Sequence, residues 1–517
     1  MTDADEHELI AFLSDPRTYP GPPAAVDVVE THAARVFLAG DRAIKIKKRV
    51  HLPFLDFTTL ALRHQALKRE LDLNAPHAPD IYRELASIGR AEDGTLAFGV
   101  MPALDYALIM TRFDQGDVLA RRAEEGPLTG DLAKALAGMV ARYHAALPPV
   151  TGASGARIMC ATVEQVALTL TADAPPPLAE PAADFARTAR AEVARLASLL
   201  DARSSGGAVR RCHGDLHLGN IVLIDGAPVA FDALEFDESM ATIDVLYDLA
   251  FLLMDLDVRG DRTAANAVLN TYVASAPAGG ELEGLAALPL FLATRAAIRG
   301  FVACERAAQS AEACSTCLSA AEVYIRAANA YLAPERPRLI AVGGLSGTGK
   351  STLAARLAAD IGPAPGALVL RTDVERKRMF DVPETERLSA DHYTEALSDE
   401  IYAALYAKAA RVLAAGHSVI FDGVSSKPAE RDSLAETAAS AGVAFHGLWL
   451  EAPLETQLAR IAARRNDASD ATAAVVRAQH EQDIGPLTWT RIDAGRSLEE
   501  TLAQARAALG LPSRDVA

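Results

Sequence analysis

The chain has 517 residues, half of them hydrophobic and 23% charged. That is enough apolar material for roughly three packed units and too much for wholesale disorder. The net charge of -17 argues against a general nucleic-acid coat and against docking to anionic membrane surfaces. Aromatic residues make up only 5% while alanine is abundant, which favours packed helices over all-β sandwiches.

The first residues, MTDADEHELI, are acidic and lack the basic-then-apolar order of a secretory signal. The most apolar runs are interrupted by Arg295 and Arg299 in one case and by Asp255 and Asp257 in the other, short of the ~18 residues of a membrane span. The five cysteines are scattered, so no disulfide framework is expected. Cys314 and Cys317 form a CxxC without a second pair or a histidine cluster nearby and read as ordinary reduced residues. A cytoplasmic location is expected, with no membrane partner and a nucleic-acid partner disfavoured.

In chain order, Arg35–Lys47 predicts a hairpin: RVFLA, a turn at Gly40 and Asp41, then the alternating AIKIK. Leucine spacing predicts a helix over Leu60–Leu71. Further helices are expected at Leu132–Ala146, at Asp184–Leu200 and from Val245 to Tyr331, with a proline-rich connector at 174–182. This part reads as α+β, strands early and helices late. Then Ala333-Pro334-Glu335-Arg336-Pro337 denies helix continuation and gives way to the apolar strand Leu339–Val342. The chain is therefore expected to divide into domains 1–335 and 336–517. Beyond the cut, strands at 339–343, 367–371, 418–422 and 445–450 alternate with helices, the pattern of an α/β domain with a parallel sheet.

Within the first part, His213-Gly-Asp215-Leu-His217-Leu-Gly-Asn220 precedes a short hairpin and then Asp232. An HxDxxxxN followed by an aspartate is what phosphoryl transfer onto a hydroxyl needs. Asp215 would take the acceptor's proton, Asn220 would coordinate Mg²⁺, Asp232 would bridge metal and phosphates, and His213 would brace the loop. The competing readings are a turn rich in capping residues and a metal site through His213 and His217.

On these residues the first 335 positions resemble the aminoglycoside phosphotransferase and choline kinase group, relatives of protein kinases. The resemblance implies a bilobal fold, with a small lobe over about 20–112 and a helical large lobe over about 113–335. It also implies a lysine on the third strand paired with a helix glutamate. Lys45 fits the lysine, with Lys47 on the same face as the alternative, and Glu70 fits the glutamate; Met110–Phe113 would be the hinge. The stretch VVETHAARVFLAG departs from the pattern by lacking GxGxxG, and Gly40 falls in the hairpin turn instead.

In the second part, Gly344-Leu-Ser346-Gly347-Thr348-Gly349-Lys350-Ser351 matches GxxxxGK[ST] between a predicted strand and a predicted helix that continues through Thr352. Glycines let backbone N–H groups curl round phosphates, Lys350 reaches the β/γ-phosphates, and Ser351 holds Mg²⁺. Asp373 and Asp422 follow later strands, at the ends that face this loop in a parallel sheet. Each is a candidate for the proton-accepting or metal-side acid, or else a helix N-cap. Arg460, Arg464 and Arg465 cluster near a probable lid, as phosphate-steadying groups or as a solvated helix face.

This half resembles the small P-loop kinases of the gluconate kinase, zeta toxin, chloramphenicol phosphotransferase and polynucleotide kinase type, over roughly 338–512. The tandem layout resembles a class of bacterial two-domain kinases. The expectation is a bifunctional ATP- and Mg²⁺-dependent phosphotransferase acting on small hydroxylated acceptors. The alternatives are a P-loop kinase with a regulatory or substrate-binding pseudokinase domain, and a nucleic-acid end kinase drawing on the basic run RTDVERKR at 371–378.

Overall fold

Period-two alternation sorts the first hairpin's side chains onto two faces. Ile44 and Ile46 join Phe37, Ile88 and Ala107 in a buried cluster completed by Leu9 and Leu13 from the helix Asp3–Ser14. Lys45 and Lys47 face the other way, toward Glu70 on the helix Leu60–Asn74. Thr59 starts that helix, its hydroxyl accepting from Leu62 N at 3.3 Å, a cap worth ~1 kcal/mol. The computed structural model describes residues 3–31, 33–52, 55–275, 281–309, 314–464 and 467–512.

The fold is an N-terminal bilobal α+β kinase-like domain followed by an α/β domain with a parallel sheet. In the first, β1 (Val26–Glu30), β2 (Ala34–Ala39), β3 (Arg42–Lys47), β4 (Tyr82–Arg90), β5 (Leu96–Phe98) and β6 (Ala103–Thr111) form an antiparallel sheet in the order β1-β2-β3-β6-β4-β5. Two small pairs follow. β7 (Val209–Arg211) pairs with β10 (Thr242–Asp244), and β8 (Ile221–Ile224) with β9 (Ala227–Ala230). The chain between β7 and β8 is the HGD loop.

In the α/β domain, β11 (Arg338–Gly344), β12 (Leu368–Arg371), β13 (Val419–Asp422), β14 (Ala444–Glu451) and β15 (Thr490–Asp493) lie in the order β12-β13-β11-β14-β15, all parallel. Arg371 and Val342 both stand in register with Asp422, so the carboxyl ends of β11, β12 and β13 deliver their loops to one crevice. Ile340, Val342, Leu353, Leu357, Ile420, Leu448 and Ile492 form the core beneath it.

The expected connector at 174–182 is not one. A helix spans Pro176–Ser205 straight after the helix Gly155–Asp173. Pro176 and Pro177 occupy its first turn, where a missing N–H leaves nothing unpaired, and only Pro181 lies inside it. β15 was not expected either; its four residues, TRID, bury only the isoleucine, so no apolar run marks it.

By packing, the chain forms two compact units that do not follow chain order: residues 1–158 with 204–252, and residues 159–203 with 253–517. In the second unit the helix Arg262–Ser275 packs on the edge strand β12. Asn270 accepts from Val369 N at 2.7 Å and donates to Ala367 O at 3.1 Å, and Asn266 donates to Ala367 O at 3.0 Å. Two amides thus satisfy backbone that an edge strand leaves unpaired. Among the described residues, one helical run, Glu281–Ala308, is long and apolar enough to cross a membrane, and 67% of its apolar window is buried in the protein.

Candidate functional site

The HGD loop is held from below. Asp248 accepts from His213 N at 3.2 Å and Gly214 N at 2.9 Å, and its carboxylate lies 3.1 Å from His144 Nε2. Gly214 has φ +84°, and a side chain there would meet Ala241 Cβ at 3.0 Å. His213 is buried; its Nε2 donates to Phe231 O at 3.0 Å while Nδ1 accepts from Asp215 N at 3.3 Å. Burial holds its pKa below the usual histidine value, against the pull of Asp248 and Asp215. It therefore stays neutral and braces the loop.

Asn220 Nδ2 donates to Asp215 O at 2.9 Å and to its Oδ2 at 2.8 Å, tying the ends of the loop together. Asp232 follows β9 with φ +60°, a left-handed conformation that aspartate tolerates better than most residues. Its backbone N–H donates to Tyr82 OH at 2.9 Å, and the next N–H donates to Asn74 Oδ1 at 2.9 Å. Its side chain meets Lys45 Nζ at 2.7 Å, and Lys45 also reaches Glu70 at 2.7 Å. Lys47 meets the other Glu70 oxygen at 2.8 Å and Glu235 at 2.5 Å. Both lysines thus share Glu70, and Lys45 also holds Asp232. Burial disfavours the Lys45 charge, but Asp232 and Glu70 outweigh it and hold its pKa well above the usual value. Burial pushes the Asp232 carboxyl up, and Lys45 more than reverses this, leaving it below the usual range.

The P-loop is wedged where no side chain fits. A Cβ on Gly344 would lie 2.6 Å from Leu450 O, and one on Gly347 2.8 Å from Gln457 O. Lys350 opens the helix Lys350–Ala358 and donates to Leu345 O at 3.0 Å. Burial lowers its pKa, opposed by Asp422 and Asp373. Asp373 is the second residue of the helix Thr372–Met379 rather than its cap. Burial, reinforced by Asp422, raises its carboxyl pKa, against the hydrogen bond from Ser469 and the charges of Lys350 and Arg371. Asp422 ends β13 and is no cap either, since the next helix, Pro428–Ser440, is capped at Lys427. Arg371 lies 3.2 Å from Asp422 and 3.2 Å from Asp467.

These groups line a cavity of about 930 Å³ together with Ser346, Gly349, Ser351 and Thr352. Arg460 donates to Thr348 O at 3.2 Å, and Arg464 lies 4.0 Å from Asp467. Arg465 lies outside the described residues. Sequence reasoning missed Arg371, Asp467, Asp248, Tyr82 and Arg376. Only Arg371 carried a local signal, as the last strand residue before Thr372 and Asp373. In both sites the donor sets, Asn220 with Asp232 and Ser351 with Asp422, are the hard oxygens that Mg²⁺ takes.

Residues 58–286 match the family model described as "Phosphotransferase enzyme family", and residues 339–482 match that of an "AAA domain". An uncharacterized protein of Mycobacterium tuberculosis and one of Mycobacterium bovis are each 30% identical over 498 residues, covering 93% of this chain and 94% of the relative. The chain belongs to their family. The chain joins a phosphotransferase domain to a P-loop domain, and it is an enzyme of the kinase and phosphotransferase class. Among solved structures, a Sinorhizobium meliloti gluconokinase is 22% identical over 34% of this chain and 93% of its own, with a TM-score of 0.25. A Cryptosporidium parvum choline kinase is 10% identical over 64% of this chain and 95% of its own, with a TM-score of 0.38.

Proposed function

We propose that the chain is a bifunctional phosphotransferase with one ATP site in each of the domains 1–335 and 336–517, each passing the γ-phosphate to a hydroxyl of a small acceptor. The observation that carries this reading is the completeness of both polar sets. Lys45, Glu70, Asp215, Asn220 and Asp232 belong to one loop-and-strand assembly, and Lys350, Asp373 and Asp422 line one cavity.

In the N-terminal site Lys45, oriented by Glu70, binds the nucleotide phosphates, and Asp215 orients the acceptor hydroxyl. The acceptor oxygen bonds to the γ-phosphorus as its proton passes to Asp215. The bond from phosphorus to the β–γ bridging oxygen breaks, and ADP leaves with that electron pair. Asp373 serves as the proton acceptor in the P-loop site, and its raised pKa suits it to that task. There the amides of Ser346–Thr352 cradle the phosphates, and Lys350 with Arg460 or Arg464 steadies the transferring group. Mg²⁺ held by Asn220 and Asp232, or by Ser351 and Asp422, would neutralise phosphate charge in each site.

A pseudokinase reading of the first domain has one observation in its favour. The stretch before Lys45, VVETHAARVFLAG, lacks the GxGxxG that would give a flexible loop over the phosphates. ADP release by the full-length chain tests both readings. Lys350→Ala should leave the turnover that depends on Asp232, and Asp232→Ala should leave the turnover that depends on Lys350. If Lys350→Ala alone removes all turnover with every acceptor, the N-terminal domain is not a kinase.

A further inference from the structure

Lys45 and Lys47 are alternate residues of β3 and lie on one face of the sheet. They take hold of two separate points on the segment that follows β9. Lys45 meets Asp232 at 2.7 Å, and Lys47 meets Glu235 at 2.5 Å. The backbone nearby is held as well: Asp232 N donates to the Tyr82 hydroxyl on β4, and Ala233 N to Asn74 on the helix Leu60–Asn74. The segment 232–235 is thus laced to β3, to β4 and to that helix.

The two lysines differ in what they can release. In the nucleotide reading Lys45 turns to phosphate and Asp232 to Mg²⁺, so the pair between them loosens when the nucleotide enters. Lys47 has no such second task. Its side chain is 3% exposed against 12% for Lys45. Around its Nζ stand Glu70 at 2.8 Å, Glu235, and the Phe57 ring with its centre 5.4 Å away. Burial disfavours the Lys47 charge, as does Lys45, yet Glu70 and Glu235 together hold its pKa above the usual value. Opening so buried a pair would leave an uncompensated charge, so the pair stays formed.

Asp232 meanwhile keeps φ +60°, a conformation that persists only where the surroundings impose it. Once Lys45 has turned away, the hydrogen bonds of Tyr82 and Asn74 remain, together with the ion pair at Glu235. The ion pair is the strongest of these ties, because both of its partners are charged. We propose that Lys47 and Glu235 are positioning residues for Asp232. Their pair keeps the segment 232–235 on β3 while Lys45 changes partners, so that the Asp232 carboxylate stays in place for Mg²⁺. This inference rests on the reading of the first domain as a nucleotide site.

The test uses the full-length chain carrying Lys350→Ala, so that binding is read from the N-terminal site. A non-hydrolysable ATP analogue is titrated calorimetrically, once with Mg²⁺ and once with EDTA in its place. This parent should bind the analogue more tightly with Mg²⁺. Glu235→Gln should cut that gain by roughly 10-fold, the order of one charged hydrogen bond. Its metal-free affinity should hardly move, because Lys45 and Glu70 remain. Glu235→Asp, which keeps the charge and shortens the reach, should lose less, and it carries the same test if Glu235→Gln does not fold. Combining Lys47→Gln with Glu235→Gln should lose no more than the worse single change, since both act through one contact. An unchanged gain from Mg²⁺, a loss that falls equally on metal-free binding, or additive losses in the double variant overturns the proposal and leaves the nucleotide reading standing. A parent that gains nothing from Mg²⁺, or whose gain survives Asp232→Ala, overturns both.

Discussion

In the N-terminal site, opposite charges are already matched within the protein: Lys45 bridges Glu70 and Asp232, and Lys47 bridges Glu70 and Glu235. In the P-loop site, Lys350 donates to a backbone carbonyl, and burial together with the charge of Asp422 disfavours that of Asp373. The first site is therefore preorganised as an ion-pair lattice, whose lysine must exchange part of its contact with Asp232 for phosphate oxygens. The second keeps charge in reserve, and its lysine gives up only a neutral oxygen when phosphate arrives. The lesson is that two sites with the same proposed chemistry can place the cost of burying charge at different stages, one in folding and one relieved by ligand binding.

The largest effects that probe this contrast are on turnover. Asp215→Asn and Asp373→Asn keep shape and remove the proton acceptor from one site each, so each should lower its own site's kcat by about 10²–10⁴-fold. ADP release by the full-length chain with acceptors selective for each site reads the two losses separately. A variant that slows both sites equally would contradict independent chemistry.

Next in size is the lattice itself. Glu70 is fully buried between two lysines, and Glu70→Ala leaves both ammonium groups short of a partner. Breaking a buried pair in this way costs about 3–5 kcal/mol, so the N-terminal unit should unfold at lower urea, while Lys350→Ala changes stability little. Equal, small shifts for both variants would remove the distinction between the sites.

The smallest effect is a pH dependence beneath the P-loop sheet. His417 is 1% exposed, and its Nε2 donates to Gly366 O at 2.7 Å. Burial pushes its pKa down from 6.5 to about 4. As pH falls below 6.5 the unfolded chain takes up a proton that the folded chain refuses until about 4. The contribution to stability is therefore present above 6.5 and lost through that window, by about 3 kcal/mol in all. Urea midpoints across the window should fall less steeply for His417→Gln than for the parent chain. Parallel slopes would show that His417 does not carry the dependence.

How much of this was legible in the sequence follows from the range of the contacts. GxxxxGKS and HGDxHxxN are local patterns, and the residues they named lie on loops at strand ends as expected. Lys45 and Glu70 were placed only through resemblance, and the structure brings them within hydrogen-bonding distance. What stayed hidden depends on partners far along the chain. Asp248 supports a loop 34 and 35 residues before it, and Asn270 satisfies backbone 97 and 99 residues after it. Arg376 looked like one more charge in a basic run, because its contacts with His392, Ser398 and Tyr393 come from residues 16 to 22 positions further along. The prolines at 176 and 177 misled for the opposite reason: their local meaning changes with position, and in a first turn they start a helix.

The central claim, two nucleotide sites in one chain, is tested most directly by calorimetric titration of the full-length protein with a non-hydrolysable ATP analogue and Mg²⁺. Two binding events per chain are predicted, reduced to one by Lys350→Ala and to a different one by Asp232→Ala. A single event that Lys350→Ala abolishes and Asp232→Ala leaves intact would contradict the account and assign the nucleotide to the P-loop site alone.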